Sequence, residues 1–349
     1  MHEISRRAFL MASGGAASLA AARSGADQAQ AGAPEVALAC SNYIRFMPIA
    51  TGDVRPKEFA LTWIRADRTE VLRRATGDAT IDGGETSMAQ HVMRLDAGDR
   101  SFVAVPIFPL RNFTARDIYA RRGAAFPLSG INDRRIGIYN WAASGAVWYR
   151  HLVRFFNQDP GKVRWIVGNA DGTAPVAARG PFPANVTVAP ERTSLTDLLL
   201  AGDIDAFFTP LPPQRHGAID GPLVRLVRDF PDVERRYYAA TRCYPPQHVI
   251  VFRKETWEAK RSIARHLVAL CNASDAAFQA AQRLYPYNSP WLIDDIEQAE
   301  RAMGADYHAH GLEKNRHAVD VFCQGAFDDG LTKRRITADE FFREFLAAS

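Results

Sequence analysis

Several short stretches of this chain join reactive side chains to backbone features that could hold a ligand. Ser144-Gly145 stands directly behind the strand-like run Arg135–Tyr139. A serine capping a helix there would leave free backbone N–H groups at a strand's carboxyl end, a ready site for a carboxylate or phosphate. As a plain helix cap it would look the same. Gly83-Gly84-Glu85-Thr86-Ser87 is a second such place. Its two glycines permit close backbone approach and would set Glu85 at the mouth of a cleft, although a turn capped by Thr86 or Ser87 accounts for the same residues. Arg111 follows Pro106–Leu110 at a strand exit, where its guanidinium could fork onto a carboxylate or simply lie solvated at the surface. His248 opens an apolar run and suits a general acid, a hydrogen-bond donor to ligand, or a satisfied core histidine. Tyr139 and Trp141, beside Ser144, could stack on an aromatic ring or fill core. Thr209 opens the loop Thr209-Pro210-Leu211-Pro212-Pro213, which no helix or sheet can continue.

Metals and nucleotide cofactors find no support. His308-Ala309-His310, with His317 and Cys323 beyond, is not a recognised zinc spacing, and no GxGxxG, P-loop, GxSxG or HExxH pattern occurs. The expectation is a site with no metal and no cofactor.

The elements that must position these residues alternate. Strand-like runs cover Val36–Cys40, Ala60–Ile64, Ser101–Pro106, Ile118–Ala120, Arg135–Tyr139, Val163–Val167, Asn185–Val188, Ala206–Thr209 and His248–Phe252. Amphipathic helical stretches at Glu70–Ala75, Gly145–Asn157 and Leu195–Ala201 fall between them. That rhythm predicts an α/β fold with largely parallel sheets, whose ligands bind beyond strand ends. After Glu255 the pattern turns helical: one long helix over Thr256–Leu284, then Trp291–Met303, Leu312–Asp328 and Ala338–Leu346.

The amino terminus reads as an export leader. Arg6-Arg7 precede an Ala/Gly-rich apolar run to Ala22, and Ala29-Gln30-Ala31 forms a small-residue cleavage box. This predicts a twin-arginine signal over residues 1–31, handled by the Tat translocase, and a periplasmic chain starting at Gly32. The run is too short and too small-sided for a membrane span. Roughly 318 residues would remain, enough for two domains and a cleft. The formal net charge of +4 suits anionic small ligands and falls short of a nucleic-acid footprint. Cys40, Cys243, Cys271 and Cys323 are widely spaced without a CxxC; one or two disulfides would be possible after export, and Cys40 fits a buried strand position.

From Ala37 onward the chain resembles the 4,5-dihydroxyphthalate decarboxylase family, whose fold is similar to the type II periplasmic binding proteins. The likeness is carried by Asp82 with Glu85 and Ser87, Pro106–Pro109 with Arg111 and Phe113, Ile118-Tyr119, Ala146-Val147-Trp148 with Arg150, His248 and Trp291. Met303-Gly304, Gly311-Leu312-Glu313, Asn315-Arg316 and Gly330-Leu331 complete it. The resemblance implies two α/β lobes with a hinge and a helical tail, the first lobe from residues 32–112 and 255–349, the second from 113–254. Asp117–Arg121 and His248–Arg253 would be the crossings. Thr114-Ala115, Asn140 and Leu211 stand where the family pattern carries an Arg-His pair, a Glu and an Arg.

Two functions are compatible with this reading. One is a solute receptor closing on a small aromatic carboxylate through Ser144, Gly145, Arg111, Glu85, Trp141, Tyr139 and Thr209 and presenting it to a membrane permease. The other is a cofactor-independent decarboxylase with His248 or Glu85 as general acid and Arg111 orienting the ring. The altered positions and the leader favour the receptor.

Overall fold

The computed structural model describes residues 33–172, 174, 182–217, 220–284 and 289–348. The expected twin-arginine leader and cleavage box over residues 1–31 lie outside the described residues.

Two sheets organise the chain. The first comprises β1 (Glu35–Ser41), β2 (Ala60–Ala66), β3 (Gly83–Ser87), β4 (Phe102–Val105) and β11 (His248–Arg253), in the order β2-β1-β3-β11-β4. The second comprises β5 (Ile118–Arg121), β6 (Arg135–Ile138), β7 (Arg164–Val167), β8 (Val186–Val188), β9 (Ala206–Phe208) and β10 (Leu223–Arg225), in the order β10-β5-β9-β6-β7-β8. The early helices are α1 (Met47–Thr51), α2 (Arg68–Gly77), α3 (Met88–Asp96) and α4 (Ser144–Phe155), followed by α5 (Leu195–Ala201) and α6 (Phe230–Thr241). The tail holds α7 (Lys254–Lys260), α8 (Ala264–Leu284), α9 (Leu292–Met303), α10 (Leu312–Asp328), α11 (Ala338–Phe341) and α12 (Arg343–Ala347).

The first sheet therefore draws on chain from both sides of the middle segment. Strand β11 departs from expectation. It was placed in the second lobe as a crossing, yet it runs antiparallel between β3 and β4 in the first sheet, with His248 opposite Ser87 and Phe252 opposite Val103. Likewise Ile118–Arg121 is an internal strand of the second sheet, antiparallel to β9 and β10. The chain passes between sheets in the irregular stretches before β5 and before β11.

Gly83-Gly84-Glu85-Thr86-Ser87 is strand, not the turn expected from its glycines. The reason is crowding: a Cβ on Gly83 would lie 2.0 Å from the Val251 carbonyl oxygen and one on Gly84 2.3 Å from that of Ala39. The glycines thus serve neighbouring backbone rather than a ligand.

Alternation along β11 separates the cores. Val249 and Val251 join a large core that also takes Ile136, Ile138 and Phe208 of the second sheet and runs between α3, α4 and α10. Ile250 and Phe252 face a second core with α8. The expected single helix over Thr256–Leu284 is interrupted at Arg261–Ile263 by a 3-10 turn. Trp257 and Ile263 both enter the second core; on a straight α-helix, residues six apart would point about 120° away from each other. The turn brings both inward. All four cysteines are buried free thiols. No described helix is long and apolar enough to cross a membrane.

Candidate functional site

The carboxyl edges of the two sheets bring most of the chemistry together. In the first sheet β1, β2 and β3 are parallel, so Tyr43, Arg68 and Ser87 emerge at one edge. Because β11 is antiparallel to β3, its first residue, His248, meets that same edge. In the second sheet β6 and β9 are parallel and end beside Tyr139 and Thr209, while antiparallel β5 begins there at Asp117. A polar contact joins the edges: Ser87 Oγ and Ser144 Oγ are hydrogen-bonded at 2.7 Å. Beside it, the Gln247 carboxamide and the Tyr139 hydroxyl crowd the space where a Cβ on Gly145 would stand.

Glu85 is the centre of the first edge. It is fully buried, on the same face of β3 and β11 as His248. His248 Nδ1 lies 2.5 Å from its carboxylate, the Tyr43 hydroxyl donates at 2.7 Å and the Ser41 N–H at 2.8 Å. Burial alone would raise this carboxyl. The His248 contact, with the Tyr43 and Ser41 hydrogen bonds, outweighs burial and holds it at about 2. Burial and the neighbouring Glu85 push the Tyr43 phenol well above its ordinary range, so it stays a donor. With Nδ1 engaged, the imidazole has Nε2 left to offer a ligand. The buried anion orients the ring and fixes the tautomer that donates from Nδ1.

Ser144 takes a role other than the one expected. The cap of α4 is Ala143, and Ser144 is the first helical residue. Its hydroxyl accepts the Ala89 N–H at 3.0 Å, capping α3, whose own N-cap Ser87 makes no side-chain cap bond. Ser144 therefore ties the start of α4 to the start of α3 instead of leaving a vacant anion site. Gly145 permits the close fit, since a Cβ there would stand 3.2 Å from both Gln247 Oε1 and the Tyr139 hydroxyl.

Arg111 and Trp141 do not join this group. Arg111 is buried against the tail, donating to the carbonyls of Tyr244 at 3.3 Å and Ala309 at 3.4 Å and to the Asn315 side chain. Its guanidinium also lies over the Phe108 ring. Desolvation, with Arg45 nearby, lowers its pKa to about 9. Trp141 is core, edge-on to Trp165, with the Arg150 guanidinium 4.0 Å from its ring centre. His310 is likewise structural, accepting the Phe108 N–H. Thr209 is buried at the second edge, where its N–H donates to the Asp117 carbonyl.

Sequence reasoning missed Tyr43, Arg68 and Asp117. Burial raises the Asp117 carboxyl to about 6, although the Arg116 guanidinium and the Asn112 amide oppose it. Arg68 is the first residue of α2, and its Nε is buried without a partner. A cation at a helix N-terminus opposes the helix dipole, and that was the legible signal.

Both edges belong to an architecture with known relatives. The described fold superposes on the periplasmic aliphatic sulphonate binding protein of Escherichia coli with a TM-score of 0.50, at 12% identity, covering 88% of this chain and 91% of that one. It matches the alkanesulfonate-binding protein of Xanthomonas axonopodis pv. citri, solved with MOPS, equally well at 10% identity over 88% and 97% of the two chains. The chain has the periplasmic-binding-protein fold. In sequence it resembles a 4,5-dihydroxyphthalate decarboxylase of Comamonas testosteroni, 26% identical over 319 residues, 88% of this chain and 96% of the relative. A 4,5-dihydroxyphthalate decarboxylase of Pseudomonas putida is 28% identical over 186 residues, 51% of this chain and 71% of the relative. No protein-family model matches. In open α/β sheets ligands generally bind beyond the carboxyl ends of the strands, which is where both edges described above lie.

Proposed function

We propose that this chain is an exported binding protein that holds a small aromatic carboxylate between its two sheets and delivers it to a membrane transporter. The observation that supports this most directly is the Glu85–His248 pair at the seam: a buried carboxylate on Nδ1 orients the ring and leaves Nε2 open to a polar group of the ligand. The fold, the mild positive charge and the leader expected from sequence support an exported receptor. Lobes of residues 32–112 with 248–349, and of 113–247, would close by a hinge, driven by the ligand's better contacts in the closed state.

The same pair favours a second reading, cofactor-independent decarboxylation, which the names of the curated relatives also suggest. In its protonated form His248 would transfer the Nε2 proton to the ring carbon bearing the carboxylate. The bond from that carbon to the carboxylate carbon would then break, its electron pair returning to the ring as CO2 leaves. Arg111, buried in the tail, is not placed to orient the ring as expected from sequence.

One experiment separates the readings. The purified chain is incubated with hydroxylated benzoates and phthalates while thermal unfolding and CO2 release are followed. A rise in Tm without CO2 supports the receptor. Turnover that disappears in His248→Gln establishes the decarboxylase, and neither response overturns both.

A further inference from the structure

Arg68 is placed where stability gains nothing from it. It opens α2, where the Asp67 side chain already caps the Thr69 and Glu70 N–H groups and the helix dipole disfavours a cation. Other arginines near this edge are occupied: Arg73 pairs with Glu70, Arg74 with Asp78, and Arg65 donates to Asn42. Arg68 has no hydrogen bond or ion pair among the described residues, and its Nε is buried without a partner. Register brings it to the same edge as Tyr43, because Ser41 pairs with Ala66 and both strands leave the sheet there. Its charge also bears on the phenols of Tyr43, from the first sheet, and Tyr139, from the second. Arg68 thus stands at the carboxyl edge of the first sheet with its buried Nε donor unspent.

We infer that Arg68 is the specificity-determining cation of the cleft, engaging the anionic group of the bound molecule and leaving His248 Nε2 for another polar substituent. This rests on the proposed binding reading. A guanidinium presents parallel donors matched to a carboxylate, so neutral isosteres lose both bonds at once. An amide in place of the carboxylate would leave the guanidinium, half-buried in the unliganded chain, without its anionic partner.

The test uses the whole chain as Arg68→Gln and Arg68→Lys, with benzoate, phthalate, benzenesulfonate, sulfate and benzamide as probes. Calorimetry gives affinity, and phenylglyoxal labelling read by mass spectrometry reports Arg68 protection in the wild type. The expected result is that an anionic probe protects Arg68, that Arg68→Gln weakens its binding by about tenfold or more, and that Arg68→Lys falls between. Without ligand, Arg68→Gln should melt no lower than the wild type. Equal affinity in Arg68→Gln, no Arg68 protection by any anion, or a lower Tm in its unliganded form would overturn the inference. Protection by sulfate or benzenesulfonate with none by a carboxylate keeps Arg68's role and overturns the carboxylate reading instead.

Discussion

Replacing Glu85 by Gln tests the centre of the site. The carboxyl is fully buried and is held at about 2 against an ordinary 4.5, which corresponds to about 3 kcal/mol of folding stability at neutral pH. Because the folded-state value is depressed, that stability is present above the ordinary carboxylate range and is lost as pH falls through about 2. Gln retains the shape and one acceptor but loses the charge that strengthens the bonds from Ser41, Tyr43 and His248. Urea unfolding of Glu85→Gln at pH 7 should therefore show a deficit of about 2–4 kcal/mol. Repeating the measurement in steps from pH 7 to pH 2.5 should shrink the gap between variant and wild type, with most of the change below about pH 4.5. A gap that stays constant across that window, or a deficit under about 1 kcal/mol at pH 7, would refute an ionised, multiply bonded Glu85.

Other perturbations probe the surroundings. Gly84→Ala drives a methyl into the Ala39 carbonyl and should cost about 3 kcal/mol or more in denaturant unfolding; a near-neutral result would mean that β1 and β3 are not so close. Ser144→Ala removes the hydroxyl that caps α3 and meets Ser87, an expected loss of about 1 kcal/mol, and hydrogen exchange at Ala89 should accelerate. Glu234, in α6, is raised to about 7, chiefly by burial and despite its bond from the Arg116 N–H. A raised acid favours folding at low pH, so its contribution is lost as pH climbs from the ordinary 4.5 toward 7. Glu234→Gln should gain stability relative to the wild type over that window, and parallel pH profiles would count against the burial argument.

Much of the architecture was legible because it rests on local patterns. The strands from Val36 to Cys40 and from Arg135 to Tyr139, and the helices Leu195–Ala201 and Leu312–Asp328, follow from hydrophobic periodicity and match observed elements to within a residue or two. Elements whose residues contradict local preference were missed. β3 is rich in glycine and read as a turn or loop, and β10, α3 and α6 were not singled out. The site divided the same way. Glu85 and His248 could be singled out by residue type, but Arg111 and Trp141, equally suggestive by type, are committed to the tail and the core.

By itself the sequence determined the alternating α/β plan, the helical tail and the chemical kinds of side chain available, since these depend on neighbours a few positions apart. Only the tertiary structure decided which of them meet. Glu85 and His248 stand 163 positions apart and become a pair because β11 enters the first sheet antiparallel to β3. Ser144 becomes a brace because the start of α4 lands on the start of α3. Sheet order and strand direction arise from burying apolar faces across the whole chain, a sum over distant contacts that no local window contains.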